Sequence, residues 1–403
     1  MSEMTFYLQQ GYGMMKLNEE FADKPDDVAF ILSPRSLQRQ SSIVKIAQHG
    51  SKLQRKDKKI LFDPQFYEPK TNMDKILKFP YFDGLNYSTL EFDKQTAQIF
   101  GENVIKYQHE YLSVDEYIIP GMYTNSITEE WFDAHENMMK GGMTYPEKKV
   151  TYQTLAIGPD VVKNEKQFSE LINRCVQYPV DGYYIVLKSP DSYLIKNESY
   201  LYSLLDALIS LNIAGKKVIM GYSNQQSLIF GGVGVSGIAT GNYRNVRSFD
   251  PSIFFESDED EFKRKGTWYF DGNTLGEYNQ QQLSLAFKRN LKDFFGPVTE
   301  YSRSLLESPD PANIPWTEKL AFNHYLHVMN EKWKILKSSQ PSQRIDSVIS
   351  ILESSKSINE ELVEKRFRLG NKGFDIEIFE STISALDAIK HDRQDDIEDL
   401  KDL

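Results

Sequence analysis

The residues of this chain best suited to chemistry stand directly behind short apolar runs. KILF at 59–62 is followed by Asp63, Gln65 and Tyr67 in FDPQFY, which sets a carboxyl, an amide and a phenol close together. Pro64 biases Asp63 towards an extended backbone and so fixes the direction of its carboxylate. A carboxylate held there accepts hydrogen bonds from the edge of a purine or acts as a base. Its structural alternatives are capping a turn or pairing with an arginine such as Arg35. Arg35 follows VAFIL at 28–32 in the stretch LSPRS, and the paired donors of its guanidinium suit a phosphate or carboxylate clamp, or an ion pair across to Asp63. Later, GYSN sets Tyr222, Ser223 and Asn224 behind KVIM at 217–220, and ATGNYRNVR sets Asn242, Arg244 and Arg247 behind GVSGIA at 234–239. Glycine, asparagine and two arginines after a strand can gather backbone N–H groups and positive charge around an anion, or they can form structural ion pairs.

These residues need elements that bring them to one place. Apolar runs recur at 4–8, 28–32, 59–62, 117–119, 151–157, 183–187, 217–220 and 234–239, and helix-length amphipathic segments separate all but the first two. Number and spacing predict a TIM-type (β/α)8 barrel, an α/β fold whose functional rim is formed by the loops that follow the strands. Helices are expected at 36–49, 88–110, 126–140, 161–177, 197–213 and 224–231. The barrel takes residues 1–300, and a helical C-terminal extension with an acidic end takes 301–403. A ninth apolar run, TWYF at 267–270, is an added strand or displaces one of the eight. The basic run KLQRKDKK at 52–59 precedes its strand and so belongs to the far face, whereas ESDEDEFKRKG at 256–266 follows the eighth strand and belongs to the rim.

Length and composition bound the answer. A chain of 403 residues suits one large domain with an appendage, and 40% apolar residues with 23 Tyr, 24 Phe and 4 Trp can fill its core. No stretch reaches the roughly 20 apolar residues that span a bilayer, and the start lacks a basic segment followed by an apolar one, so a cytoplasmic protein without membrane contact is expected. The net charge of −11 argues against a nonspecific DNA coat but leaves room for a local basic patch. Cys175 is the only cysteine, which excludes an intrachain disulfide and a cysteine-based zinc cluster; its place in a helical pattern points to a buried apolar role. His324 and His327 are three apart on a helix without a carboxylate ligand beside them, so no metal and no cofactor are expected.

Two stretches carry a family resemblance. KILFDPQFY resembles the strand and Asp-Ser-Gly-Gly-Phe loop of the tRNA-guanine transglycosylase superfamily, which includes relatives that insert deazaguanine bases into DNA. MGYSNQQSLIFGGVGVSGIATGNYRNVR is similar to that superfamily's late strand, helix and Gly-Val-Asp strand ending in an arginine-bearing loop. The resemblance implies base recognition at Asp63, aided by Gln65 and Tyr67. It also implies that Asn242, Arg244 and Arg247 hold phosphate while Tyr222, Ser223 and Asn224 line the mouth. Members carry a nucleophilic aspartate where this chain has Ala239 and Thr240, small residues where it has Pro64 and Gln65, and a zinc site that a single cysteine cannot build. The implied function is therefore a transglycosylase-like, zinc-independent barrel acting on a nucleobase, nucleotide or nucleic acid, in nucleic-acid modification or antiviral defence, with base exchange altered or lost. tRNA or DNA would be its substrate partner. Two other readings stand beside it: a noncatalytic recognition or assembly subunit that contacts a protein through the C-terminal helices, and a carbohydrate hydrolase pairing Asp63 with Asp160 or Asp191.

Overall fold

Strands that read as continuous apolar runs, with little polar alternation, suit a parallel sheet covered on both faces. The computed structural model of the protein, which describes residues 4–24, 27–35, 42–70, 74–83, 85, 93–255 and 267–400, builds such a sheet from all eight runs. The strands are β1 (Thr5–Gln9), β2 (Val28–Leu32), β3 (Ile60–Phe62), β4 (Tyr117–Ile119), a two-residue β5 (Tyr123–Thr124), β6 (Thr151–Ile157), β7 (Gly182–Leu187), β8 (Lys217–Met220) and β9 (Gly237–Thr240). The hydrogen-bonded order is β3-β2-β1-β9-β8-β7-β6-β4, all parallel, with β5 pairing β6 beyond β4. Between β3 and β4 the ladder is replaced by single ties: Asp115 N donates to Ile60 O at 3.1 Å, Ile60 N donates to the Asp115 carboxylate at 2.8 Å, and Tyr123 N donates to Tyr67 O at 2.7 Å. The result is a nearly closed eight-stranded barrel with helices between its strands, as the spacing predicted, except that a helix at Met14–Ala22 also separates the first two strands, where none was expected.

The barrel helices are α1 (Met14–Ala22), α2 (Ser42–Gln54), α3 (Lys94–Tyr107), α4 (Glu129–Met143), α5 (Glu165–Gln177), α6 (Glu198–Ile213) and α7 (Leu228–Gly232). Asp93, Thr128, Asn164 and Asn197 start four of them by accepting from the backbone N–H three residues on, a capping contact typically worth about 1 kcal/mol. The cap at Asp93 is why the helix expected from residue 88 begins at Lys94. The expected residues 36–41 and 88–92 lie outside the described residues, as does the rim loop 256–266. On the far face the basic run is spent on ion pairs, with Lys52 to Glu19 at 3.0 Å, Lys56 to Asp23 at 2.6 Å and Lys59 to Glu116 at 3.2 Å.

TWYF resolves as an added strand. β10 (Tyr269–Asp271) pairs antiparallel with β11 (Gly276–Tyr278) in a hairpin outside the barrel, so the eight-strand count stands. The helices α8 (Gln280–Lys288), α9 (Glu318–Ser338), α10 (Arg344–Glu364), α11 (Ile376–Asp392) and α12 (Gln394–Asp399) follow. Tyr269, Tyr278, Leu283, Leu305, Trp316, Leu362 and Phe367 form a separate small core around the hairpin, while Tyr325, Trp333, Ile345, Phe379 and Leu386 join the barrel's own core. Among the described residues no helix is long and apolar enough to cross a membrane.

Candidate functional site

Asp63 stands at the C-terminal end of β3, and residues from its own loop, from β1, from β7 and from the loop after β8 converge on it. It is 1% exposed. Its Oδ1 accepts from Gln65 N at 2.8 Å, which closes the turn at Pro64; its Oδ2 accepts from the Tyr67 hydroxyl at 2.8 Å. Three longer contacts complete the surroundings of Oδ2: the hydroxyls of Tyr184 and Tyr222 at 3.4 Å each, and Gln9 Nε2 at 3.5 Å. Burial pushes the Asp63 carboxyl up to about 6, against the pull of Tyr67, Gln65, Tyr184 and Tyr222, which favour the ionised form. The three tyrosines are driven well above their ordinary range by burial and by the neighbouring carboxylate, so they remain donors near neutrality.

The backbone at this site is held in unusual conformations. Gln65 and Tyr222 both have positive φ, 55° and 53°, although neither is glycine, a strain of order 1–3 kcal/mol each that must be supported from outside. They support one another: Gln65 Nε2 donates to the Tyr222 hydroxyl at 2.9 Å, and Gln65 Oε1 accepts from Arg35 N at 2.8 Å. One amide thus joins the loops after β2, β3 and β8. Gly221 makes room for the arrangement, because a Cβ there would lie 2.6 Å from the Tyr184 hydroxyl oxygen.

Sequence reasoning found Asp63, Gln65, Tyr67 and Tyr222 of this group, and the structure brings all four together. Gln9 and Tyr184 were missed. Gln9 is the last residue of β1 and shares a face with Thr5 and Tyr7 by strand alternation. Tyr184 lies inside an apolar run, where a phenol reads as core; its hydroxyl donates to Gln9 Oε1 at 2.9 Å.

The other expected site residues lie elsewhere on the rim. Arg35 does not pair with Asp63: its Nε donates to Ile253 O at 2.7 Å and its guanidinium lies 5.7 Å from the Phe254 ring centroid. Ser223 and Asn224 serve their own turn, Ser223 Oγ donating to Met220 O at 2.8 Å and Asn224 Oδ1 accepting from Gln226 N at 2.9 Å. Asn242 braces the loop after β9 through Tyr12 O at 2.9 Å. Arg244 is exposed, bonded to Ser192 O and set over the Tyr193 ring at 5.5 Å. Arg247 is buried; its Nη1 meets Glu277 of β11 at 2.8 Å, its Nη2 donates to Asn242 O at 2.9 Å, and its guanidinium covers the Tyr325 ring at 4.2 Å. It ties the barrel to the hairpin rather than facing the mouth.

Among the described residues no second carboxylate bonds within the Asp63 cluster. Asp160 is exposed and held by Asn125, and Asp191 accepts from Lys196 N at 2.9 Å. Thr240, at the end of β9, is buried and donates to Ser223 O at 2.6 Å. Among the described residues no three His, Cys, Asp or Glu side chains gather as a metal site. His324 is a structural tie, with Nδ1 at 2.9 Å from Thr299 Oγ1 and Nε2 donating to Phe270 O at 2.8 Å; burial lowers its pKa to about 4. Cys175 is buried, its thiol pushed up to about 12 by burial.

Over this polar group sit aromatic rings: Phe249 and Phe254 lie edge-on to Tyr67 at 4.9 and 5.1 Å, and Phe249 to Tyr222 at 5.4 Å. The combination is an acceptor that titrates near neutrality, amide and phenol groups around it, and flat apolar walls. Compared with known proteins, the chain matches no family model and no curated protein.

Proposed function

We propose that this barrel recognises a nitrogen heterocycle of the nucleobase type at Asp63. The observation that carries the reading is the loosely satisfied Oδ2 of a fully buried carboxyl: three of its four donors stand at 3.4 to 3.5 Å, near the limit of a hydrogen bond. A guanine or deazaguanine edge presents two adjacent N–H groups, which a carboxylate accepts in pairs, and the rings of Tyr67, Phe249 and Phe254 supply faces for a planar ligand. A carboxyl titrating near 6 can also take a proton from such a ring at neutral pH. The transglycosylase-like resemblance points the same way and extends the ligand to a nucleotide or to a base in tRNA or DNA. The transglycosylase nucleophile has no counterpart, because Ala239 and Thr240 end β9 and the Thr240 hydroxyl is committed to Ser223. The reading is therefore base recognition with proton transfer, and base exchange altered or lost.

One observation favours a recognition or assembly subunit over an enzyme: the site is covered, with Asp63 at 1% exposure. A single set of measurements separates the two. Calorimetric titration with guanine, 7-deazaguanine and adenine, beside incorporation of labelled guanine into tRNA and duplex DNA, is run on the native protein and on Asp63→Asn. Heterocycle binding that weakens at least about tenfold in the variant, roughly the 1.4 kcal/mol expected from one charge-assisted hydrogen bond, supports the reading. Binding without incorporation selects the noncatalytic form. Equal binding by both proteins removes Asp63 from the site.

A further inference from the structure

The small core around the hairpin carries a cluster of cations on a protein that is acidic as a whole. Two helices end there, α8 and α10, and both stop in the same way. Asn290 and Arg366 take the left-handed conformation, at φ 57° and 54°, and the next residue returns its N–H to a carbonyl five residues back, Leu291 to Ala286 at 2.9 Å and Phe367 to Leu362 at 2.8 Å. Arg289 joins the two stops, its guanidinium donating to Arg366 O at 3.2 Å and to Lys365 O. The segments 288–292 and 365–368 therefore lie side by side, and Lys288, Arg289, Lys292, Lys365, Arg366 and Arg368 are all exposed. Asp293 and Glu364 border them in sequence. Among the described residues only Lys288 of the six meets a carboxylate, Asp310 at 3.9 Å. Cations suit the ends of helices, which accounts for Lys288 and for Arg289. It does not account for the others. A left-handed stop favours glycine or asparagine, as at Asn290, whereas α10 places there an arginine whose Cβ opposes that conformation. Lys292 Nζ lies 5.5 Å from the Phe287 ring centroid and Lys365 Nζ 5.7 Å from that of Phe294, both rings being partly exposed. About one turn back along each helix, Leu285 and Val363 are exposed as well.

We propose that this surface binds single-stranded nucleic acid, with phosphates on Lys292, Arg366 and Arg368 and unpaired bases against Phe287 and Phe294. The net charge of −11 repels a polyanion from the molecule in general, so a strand is held only where cations outnumber carboxylates, as these six outnumber Asp293 and Glu364. Arg366 and Arg368 present guanidinium forks, which match phosphate geometry. Cations interleaved with flat rings are what a strand-binding surface needs, since any unpaired base can stack on a ring while its phosphate meets a charge. An anionic membrane would instead take apolar side chains that protrude past the charges, whereas here Lys292 and Lys365 stand over the rings. Phosphate contacts carry no sequence information, and RNA and DNA strands should both bind. The surface shares no residue with the Asp63 cluster and does not depend on the reading given for it.

Fluorescence anisotropy across a salt series tests this with a labelled single-stranded RNA, the matching DNA strand and the DNA duplex, beside sedimentation with phosphatidylserine vesicles. The native protein is compared with Lys292→Ala/Arg366→Gly/Arg368→Ala and with Lys16→Ala/Lys106→Ala/Lys166→Ala, an equal loss of exposed charge from the barrel helices. The first variant should bind both strands at least about tenfold more weakly, and its slope of log affinity against log salt should be shallower by about 2, from three lost phosphate contacts at roughly 0.7 each. The barrel variant should behave as the native protein. Native affinity and slope in the first variant, or an equal loss in the barrel variant, overturns the proposal, as does a native protein that binds neither strand. Duplex held as tightly as the strands overturns the single-strand assignment, and vesicle binding without strand binding overturns nucleic acid in favour of a membrane. Arg366→Gly suits the left-handed turn, so should the triple variant fail to fold, this change alone carries the test: the slope must become shallower by about 0.7, and an unchanged slope overturns the proposal. Calorimetric titration with guanine keeps the two proposals apart, since a protein that binds strands but no heterocycle sinks the reading of Asp63 and leaves this surface standing.

Discussion

Two aspartates of this protein are wholly buried, carry carboxyls pushed up to about 6 by burial, and yet are held in opposite ways. Asp271, at the hairpin turn, accepts from three main-chain N–H groups, Asn273 at 3.1 Å, Thr274 at 2.7 Å and Gly296 at 2.7 Å, and from the Tyr269 hydroxyl at 3.0 Å. Asp63, at the barrel mouth, has one main-chain donor; the rest are hydroxyls and an amide that can turn, most of them at the limit of bonding. Main-chain donors fix a carboxylate because they have nowhere else to go. Side-chain donors can be handed to a ligand. Burial with a raised pKa is thus common to both regions, and what separates a structural carboxyl from one open to chemistry is the mobility and slack of its partners.

The strongest way to break the comparison is at Arg247, which binds the hairpin to the barrel. Arg247→Ala leaves Glu277 buried with, among the described residues, the 3.4 Å contact with Lys372, and should cost about 3 kcal/mol in urea unfolding, the scale for removing one partner of a buried ion pair. Exposed Arg244 bonds a carbonyl and lies 5.5 Å from the Tyr193 ring centroid, and Arg244→Ala should stay within about 0.5 kcal/mol. Equal costs would mean that the hairpin region is no more fixed than the mouth.

The same isosteric change at the two aspartates sharpens the contrast. In Asp271→Asn the amide must turn Nδ2 towards a main-chain N–H that cannot reverse, so a loss of about 2 kcal/mol is expected despite the relief of buried charge. In Asp63→Asn the Nδ2 meets hydroxyls that rotate to accept, and the relief dominates: a gain of about 1 kcal/mol at pH 7.5, below the roughly 3 kcal/mol that two pKa units represent. The sign follows from the raised pKa. The native protein keeps the Asp63 proton to higher pH than the unfolded chain, so this group's stability contribution falls as pH rises from about 4 to about 6 and is level above. The difference between Asp63→Asn and native stability should therefore grow across that window and then stay constant. A difference flat with pH, or a destabilised variant, would place Asp63 with Asp271 among the structural carboxyls.

How far this was legible differs between the two regions as well. The strands could be read because each is a short apolar run, and Asp63, Gln65, Tyr67 and Tyr222 because they follow those runs directly, where a barrel exposes its strand ends. Tyr184 was hidden inside a run that reads as core, and Gln9, which directly follows the run at 4–8, reads as an ordinary polar strand end. Phe249 and Phe254 were hidden because an aromatic over a mouth looks like any other buried ring. Arg247 and Glu277 are 30 residues apart, and nothing local says which of two arginines in one loop turns inward to meet a hairpin. TWYF was legible as a strand but not as an addition, since its antiparallel partner, Gly276–Tyr278, has no apolar run of its own.

The smallest expected effect is also the most discriminating. Each aspartate has one close phenol, Tyr67 at 2.8 Å for Asp63 and Tyr269 at 3.0 Å for Asp271. Removing either hydroxyl by Tyr67→Phe or Tyr269→Phe should cost about 1 kcal/mol or less, the usual net worth of one hydrogen bond. Stability alone will not tell them apart; titration will. Tyr67 is the foremost hydrogen bond opposing the effect of burial on Asp63, so its loss should raise the Asp63 pKa further and carry the pH midpoint of heterocycle binding upward with it. Tyr269→Phe leaves Asp271 its three main-chain donors and should leave that midpoint where it was. A midpoint unmoved by Tyr67→Phe would show that the carboxyl at the mouth is not the group whose ionisation the ligand reads.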